Sequence, residues 1–377
     1  MTKGDMTRTG GGILFSAHSR VEIEAVGAAF RALLKARGLE AQVESGVVDA
    51  AGRFGLRFRL NQAAAAAWAP ADDTLQLCER LGLDGESEDD LEKEILVAML
   101  LGPVAFEFPS HAELLAAVRM RRYIVEAARD TELDFDTSEA ERPADCWRYA
   151  EDRGFTVLPG KSLIEALRLA TQPVRSGRRY AFSCYRATEY VIVLGIAQEL
   201  AASNPELLDR LQRQWERAPI MSGRFHDVFL REYGSMEAPL PMKYYVPGDR
   251  LWFRNPDEVS ADAVGYEGSW VFYLGGGLFA NFWQRGKPFT LTSKCLEIYH
   301  WRHGMYRDAA GELRMDEARV DAHVRATRAD PAEVARIVQR MQRYRDPRGV
   351  YRDGGCIDTS REYPRWVCPG TADIQLG

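Results

Sequence analysis

The stretch from Phe182 to Leu200, FSCYRATEYVIVLGIAQEL, decides the fold that we predict for this chain. From Tyr190 onward its residues are apolar on nearly every side of a helical wheel, and such a helix is buried all round. Ser183 is a residue type that favours the N-cap position of a helix. The pattern therefore predicts a long central helix that starts at Ser183 and runs through the core.

Cys184 then lies in the first turn of this helix. The helix dipole and the unpaired N–H groups at this end favour a thiolate, lower the pKa of a thiol and can also hold an oxyanion. Arg186 would add positive charge nearby. The position favours a reactive cysteine, while a small buried apolar residue, which is the usual fate of cysteine, stays open as the alternative.

Residues 13–90 have the pattern of a small α+β module, and a flexible polar N-terminus at 1–12 precedes it. A helix signal is followed by two strand signals joined by a short loop with glycine, as in a β-hairpin. These signals are the helix Val21–Arg37 and the strands Glu40–Val48 and Arg53–Leu60.

Residues 91–342 carry helices first and strands later, which indicates an α+β domain. The helix that starts at His111 follows Ser110, and Glu113 completes the spacing of a capping box. Gly275–Gly277 separates two strand patterns as a hairpin turn. The other predicted elements are helices at Glu92–Leu101, Pro159–Thr171, Asn204–Arg217 and Pro331–Gln342, and strands at Tyr244–Phe253, Ser269–Leu274 and Leu278–Trp283. Residues 343–377 show no regular period, so we predict an irregular C-terminal extension.

Composition excludes several functional classes. The chain has 49 Lys and Arg against 55 Asp and Glu, and this mild acidity argues against a nucleic-acid-binding protein. No apolar run approaches the length of a membrane span, so we expect no membrane partner. The six cysteines form no CxxC pair and the N-terminus lacks the apolar core of a signal peptide, which together predict a cytoplasmic protein with free thiols. No phosphate-binding or dinucleotide-binding loop occurs, and no cofactor is implied.

One segment has the residue types of a metal site: Cys295, Glu297, His300 and His303. In a helix the two histidines would share a face, and such spacing can hold a metal ion. A solvated polar helix face explains the same residues, and a second group of ligands is missing from the sequence pattern. We therefore predict no metal site.

A series of segments between about Pro103 and Gln342 occurs in the order found in one known family. These segments are Ser110–Leu115 with Arg119–Ala128, Cys146–Tyr149, Lys161–Arg168, Tyr180–Cys184, Gly248–Pro256, Gly265–Leu274, Leu278–Asn281 and Ala326–Pro331. The chain resembles the bacterial spore-coat protein-glutamine gamma-glutamyltransferases, the small calcium-independent transglutaminases with an NlpC/P60-like, papain-related core. The resemblance implies an α+β fold in which a buried helix with cysteine at its N-terminus packs on an antiparallel sheet. The small α+β module would be an addition to this core.

The resemblance places the nucleophile of the family on Cys184, in agreement with the position of this residue in the predicted helix. At three other positions the chain departs from the family. Ser183 occupies the position of a glutamate that precedes the cysteine in the family. Ser269 occupies the position of a glutamate in a strand, and Asn281 that of a histidine. Glu267 lies two residues before Ser269, would face the same side of a strand, and is our candidate for the missing base. An exposed carboxylate at a strand end explains Glu267 equally well.

The function implied by the resemblance is acyl transfer. Cys184 would attack the carboxamide of a glutamine side chain, ammonia would leave, and a lysine amine would take the acyl group from the thioester. The partners would be proteins or peptides that supply glutamine and a primary amine. Two alternatives stay open. One is a cysteine amidase or peptidase on the same core, and the other is an inactive binding or structural protein, since Ser183 and Ser269 replace both glutamates of the family.

Aromatic residues cluster on or beside the strands expected near Cys184. If two or three of them line the approach to the thiol, they form an apolar channel that excludes water yet admits the stem of a lysine side chain. Otherwise they fill the core. The residues are Trp252, Phe253, Trp270, Phe272, Tyr273, Phe279 and Trp283.

Overall fold

The computed structural model describes residues 10–135, 140–346 and 354–376. Residues 1–9 of the predicted flexible N-terminus and residues 347–353 and 377 of the predicted C-terminal extension lie outside the described residues. The helices are α1 (Arg20–Ala36), α2 (Gln62–Trp68), α3 (Leu77–Leu81), α4 (Glu88–Leu100), α5 (His111–Asp130), α6 (Leu163–Thr171), α7 (Pro173–Ser176), α8 (Cys184–Ser203), α9 (Pro205–Arg217), α10 (Gly223–Phe229), α11 (Leu291–Gly304), α12 (Glu317–Arg328) and α13 (Pro331–Met341). None of these helices is both long and apolar enough to cross a membrane.

The strands pair mainly antiparallel in one six-stranded sheet, one four-stranded sheet and three small two-stranded sheets. The strands of the N-terminal half are β1 (Gly12–Ala17), β2 (Val43–Ala50), β3 (Arg53–Leu60), β4 (Ala105–Phe108), β5 (Asp134–Phe135), β6 (Trp147–Ala150), β7 (Gly154–Val157) and β8 (Ala181–Phe182). Those of the C-terminal half are β9 (Leu230–Tyr233), β10 (Arg250–Arg254), β11 (Gly268–Gly275), β12 (Leu278–Phe279), β13 (Phe289–Thr290), β14 (Met305–Arg307), β15 (Leu313–Met315) and β16 (Arg361–Pro364).

Helix α8 is the central element and confirms the helix predicted from Phe182 to Leu200. The Ser183 side chain caps it by accepting a hydrogen bond from the backbone N–H of Arg186 at 3.2 Å. The helix packs against α5 on one side and against β11 on another. Gly195 permits the close approach of α5, because a Cβ at this position would lie only 2.6 Å from Cγ1 of Ile124. The packing of the core therefore fixes the start of α8 in place.

The six-stranded sheet has the order β13-β12-β11-β10-β16-β9, and every pair of neighbours in it is antiparallel. Its strand β11 packs on α8. The chain is therefore an α+β protein in which a buried helix with a cysteine at its N-terminus packs on an antiparallel sheet, as predicted.

The hairpin between β11 and β12 turns at Gly275–Gly277, as predicted. All three glycines have positive φ angles, of 86°, 58° and 76°, which glycine adopts without strain. Strand β12 ends at Phe279, earlier than the predicted end at Trp283. The cause is Asn281, whose Oδ1 accepts a hydrogen bond from the backbone N–H of Trp283 at 3.1 Å and turns the chain away from the sheet.

The N-terminal sheet has the order β2-β3-β1-β4, and its β2–β3 hairpin confirms the hairpin predicted for this region. Its fourth strand, β4, follows the predicted domain boundary at residue 90 and pairs parallel with β1. The rings of Phe15 on β1, Phe58 on β3 and Phe108 on β4 pack together in one core. The boundary predicted at 90/91 thus falls inside a shared sheet and a shared core. The sequence did not reveal this, because the pairing of β1 with a parallel strand far along the chain leaves no local signal.

The segment predicted to be an irregular C-terminal extension contributes strand β16, which lies between β10 and β9. Its four residues lack the alternation of apolar side chains that marks a strand in the sequence. Buried charged side chains hold this strand in the sheet instead. Glu362 accepts a hydrogen bond from Nε of Arg250 on β10 and pairs with His226 Nδ1 at 2.7 Å.

A second contact ties the C-terminal segment to the start of α5. Ser110 caps α5 by accepting a hydrogen bond from the N–H of Glu113 at 3.1 Å, which is one half of the predicted capping box. The other half is replaced, because the buried Glu113 carboxylate accepts the N–H groups of Cys368 at 2.7 Å and of Val367 at 3.2 Å instead.

Glu94 of α4 joins the N-terminal part of the chain to the hairpin turn of the central sheet. Its side chain is buried, and Oε1 accepts a hydrogen bond from the backbone N–H of Gly276 at 2.9 Å. Burial raises the pKa of this carboxyl from its ordinary value near 4.5 to about 7, and the hydrogen bond from Gly276 and the charge of Arg129 only partly offset that effect.

Because of this raised pKa, we expect the contribution of Glu94 to the free energy of unfolding to fall as the pH rises. The protonated form of Glu94 contributes stability that is complete below pH 4.5 and is lost as the pH rises through 7, because between these values the folded chain holds a proton that the unfolded chain has already released. The variant Glu94→Gln keeps the acceptor oxygen and does not titrate. The free energy of unfolding is measured with urea for both chains. The difference between them should change by roughly 3 kcal/mol in favour of Glu94→Gln between pH 4.5 and 8. The exposed Glu79→Gln is the control, and parallel pH curves for Glu94→Gln and the unaltered chain would contradict the prediction.

Candidate active site

A cavity of about 520 Å³ opens where α8 begins. Cys184 lines it together with Ser269 of β11 and Asn281 of the segment that follows β12. The opposite walls come from α11 and α12. The structure therefore brings three of the five predicted site residues to one cavity.

Cys184 is the first residue of α8 and is partly exposed to this cavity. Burial is the largest influence on its thiol and raises its pKa, whereas the helix position alone predicted a lowered pKa. Three groups act in the opposite direction and stabilise a thiolate: the backbone N–H of Trp270, the positive charge of Lys294 and the backbone N–H of Tyr185. The resting thiol is therefore protonated at neutral pH, in a site already equipped with groups that stabilise negative charge.

Lys294 of α11 is a site residue that the sequence analysis missed. Its side chain is about 1% exposed, lines the cavity with Cys184, and donates a hydrogen bond from Nζ to Glu297 Oε2 at 2.9 Å. The ammonium group also lies 4.1 Å from the ring centroid of Phe289, within the range of a cation–π interaction. A lysine followed three residues later by a glutamate on one helix face was the signal in the sequence.

Glu267 comes just before β11 begins and is exposed. Its Oε1 accepts a hydrogen bond from the backbone N–H of Gly265 at 3.3 Å. Its neighbours Tyr266 and Gly268 line the cavity, but among the residues described Glu267 itself is not part of the lining. Its negative charge raises the pKa of the Cys184 thiol, which shows that it lies near the site. Its role as a base stays a prediction.

The two serines and Asn281 have distinct places. Ser183 caps α8 rather than lining the cavity. Ser269 is buried beside Cys184, in the cavity wall. Asn281 binds the backbone of its own loop at both ends of its amide, with Nδ2 donating to the carbonyl of Lys287 at 2.9 Å. An amide held in this way shapes the cavity wall and cannot act as an acid or base at neutral pH.

Arg186, which we expected to add positive charge near the thiol, pairs instead with the buried carboxylate of Glu189. The positive side chain that acts on Cys184 is Lys294. The charge that favours a thiolate therefore comes from α11 and not from α8.

Aromatic side chains do line the cavity, but most of them are not those predicted. Trp283 is the member of the predicted set found in the lining. Trp252 and Trp270 stack on each other with their ring centroids 6.1 Å apart. The remaining four predicted rings fill the core. The other aromatic walls are formed by Phe135, Tyr266, Phe289 and Trp301.

The family model of the protein-glutamine gamma-glutamyltransferases matches residues 76–373. A protein-glutamine gamma-glutamyltransferase from Bacillus licheniformis is 28% identical over an alignment of 178 residues, and the match covers 44% of this chain and 63% of that protein. The match thus spans less than two thirds of the length of this curated relative. A solved transglutaminase from Geobacillus stearothermophilus, without its C-terminal extension, is 20% identical, with a TM-score of 0.39 over 57% of this chain and 98% of that one.

Proposed function

Since this chain belongs to the protein-glutamine gamma-glutamyltransferase family, we propose that it transfers the acyl group of a glutamine side chain to a primary amine through a thioester on Cys184. The observation that carries the proposal is the setting of this thiol. Cys184 lies at the start of a buried helix, in a cavity, and faces two backbone N–H groups and a buried lysine. No other described cysteine lines this cavity.

The first step forms the thioester. As the sulfur of Cys184 attacks the carboxamide carbon, the S–H bond breaks, a C–S bond forms, and the C–N bond breaks as ammonia departs with the thiol proton. The N–H groups of Tyr185 and Trp270 stabilise negative charge on the sulfur as it ionises for attack. Burial raises the pKa of the Cys184 thiol in the free chain, and the two N–H groups and Lys294 oppose that effect.

The second step transfers the acyl group. An unprotonated amine attacks the thioester carbon, an amide bond forms, and the sulfur leaves and recovers its proton from the amine. The rings of Tyr266, Trp283 and Phe289 give the cavity apolar walls along which the methylene groups of a lysine substrate can lie. The same walls limit the access of water to the thioester.

In this chain Ser183 and Ser269 occupy the two positions where the family has glutamate, and Lys294 gives the site a positive charge. Its ammonium group stabilises the thiolate, and Glu297 holds that ammonium in place through their hydrogen bond. Glu267 approaches the site from the β11 side with the opposite charge. We assign Lys294 the role of stabilising charge on sulfur, and Glu267 remains the candidate base.

The partners that we propose are proteins or peptides that supply glutamine and a primary amine. The reaction needs Cys184 as a free thiol, and all six cysteines are free thiols in the structure. We therefore propose a reducing compartment such as the cytoplasm.

The partition of the thioester between amine and water tests the proposal. We incubate the full chain with a glutamine-containing protein and a labelled primary amine, then compare the amine incorporated with the ammonia released. We expect the two amounts to be nearly equal at millimolar amine, because the aromatic walls limit the access of water. Ammonia release with little incorporation would indicate an amidase. No release, under conditions in which Cys184 is still alkylated, would indicate a binding protein.

A further inference from the structure

Three of the six histidines in the chain meet at one place, remote in sequence from Cys184. His300 and His303 lie on one face of α11, and His323 lies on the neighbouring helix α12. Each offers one ring nitrogen, and these three nitrogens all lie within 4.8 Å of one another. We call this group the histidine cluster. His323 is the further ligand that the sequence pattern did not reveal.

The geometry of the histidine cluster suits a metal ion. His300 Nδ1 and His303 Nδ1 are 2.9 Å apart, and the rings of His303 and His323 lie with their centroids 4.6 Å apart. Three nitrogens bound to one zinc ion at about 2.0–2.1 Å stand roughly 3.3 Å from each other in a tetrahedral site. One pair of nitrogens is closer than that value and all three lie within 4.8 Å, so small ring rotations are enough to bring them onto one ion.

A hydrogen bond fixes which nitrogen of His300 is free to bind. Nε2 of His300 lies 2.8 Å from the hydroxyl oxygen of Thr327 on α12. When Nε2–H donates to that oxygen, Nδ1 carries the lone pair and points at the other two rings. An outer hydrogen bond of this kind orients histidine ligands in many metal sites.

We propose that the histidine cluster binds one divalent transition-metal ion, with zinc as the first choice. Three neutral imidazoles and no carboxylate are a ligand set suited to zinc, copper or nickel, and unsuited to magnesium or calcium. The fourth position is open to water. This site is separate from the acyl-transfer reaction and does not depend on it.

Metal binding would clamp two walls of the cavity together. Helix α11 carries Lys294 as well as His300 and His303, and on α12 the lining residues Val320 and Val324 flank His323. An ion held between the two helices therefore stiffens the side of the cavity opposite Cys184. Its role is structural, since the reacting sulfur lies on α8.

The test measures zinc binding by the full chain without a histidine tag. The protein is stripped with a chelator and titrated with zinc chloride, and bound zinc is counted after equilibrium dialysis. A Cys184→Ala chain is titrated in parallel, to exclude binding at the reactive thiol. We expect one zinc per chain, a higher melting temperature with zinc, and loss of both effects in His303→Ala and His323→Ala. Thr327→Val should bind about 10- to 100-fold more weakly, and Thr327→Ser should be restored toward the unaltered chain.

The exposed His18→Ala is the matched control and should bind zinc like the unaltered chain. A chain that retains no zinc after dialysis would overturn the proposal. Equal zinc affinity in His323→Ala and the unaltered chain would overturn it too. So would an unaltered chain whose melting temperature does not change with zinc. Because none of these readouts uses enzymatic activity, failure of the zinc site and failure of the acyl-transfer proposal are distinguishable.

Discussion

Replacement of Cys184 by alanine is expected to lower amine incorporation by roughly 10⁴-fold or more, the scale of losing the nucleophile in covalent catalysis. The physical reason is that the described cavity holds no second thiol, so no thioester can form. Substrate binding should be little changed, because the thiol is a small part of the cavity wall. The measurement is the initial rate of labelled-amine incorporation, together with mass spectrometry of the enzyme to detect the acylated form.

Cys78→Ala is the matched control, since Cys78 is also a partly exposed free thiol and lies outside the cavity lining. Cys78→Ala should keep full activity and should still accumulate the acyl-enzyme when amine is withheld. If the Cys184→Ala chain retains activity that Cys78→Ala loses, the nucleophile has been assigned to the wrong residue.

Replacement of Lys294 by methionine is expected to have the second largest effect, a loss of about 10²-fold or more in turnover. Methionine keeps much of the length and apolar stem of lysine but removes the charge that stabilises sulfur. Because that charge lowers the pKa of the Cys184 thiol, its removal should also move the pH dependence of Cys184 alkylation by iodoacetamide to higher pH. Lys294→Arg retains the charge and should recover part of both properties.

The design separates the charge of Lys294 from its role in packing. Glu297→Gln combined with Lys294→Met leaves no unpaired carboxylate behind, and should be folded but still slow. Lys287→Met removes an exposed lysine of the same cavity and should have little effect. Glu267→Gln is measured beside them. If Glu267→Gln lowers turnover more than Lys294→Met does, and the alkylation profile of Lys294→Met matches that of the unaltered chain, the base predicted from the sequence is the more important residue.

The parts of the structure that sequence reasoning predicted are those that local patterns encode. Helix α8 was predicted because its apolar run and the cap residue Ser183 lie within one segment. The turn at Gly275–Gly277 was predicted because its positive φ angles favour glycine. The position of Cys184 followed from the helix start, although the sign of its pKa shift did not, since burial depends on elements far along the chain.

The parts that were missed depend on contacts between distant segments. Strand β16 has no apolar alternation, and its place between β10 and β9 follows from the buried pairing of Glu362 with Arg250 and His226. The family match runs from residue 76 to 373, and so extends beyond both boundaries drawn from the sequence. Lys294 was missed because only the fold brings it to the cavity that Cys184 lines.

The place of β16 in the sheet has a consequence for how this protein is made. Ribosomes deliver β9 and β10 long before β16, so these two strands wait without the neighbour that joins them until residue 364 has emerged. Strands with open edges pair with one another in the wrong partnership or are held by chaperones. A chain that ends before residue 361 keeps these open edges, so we expect it to mispair and aggregate where the full chain folds.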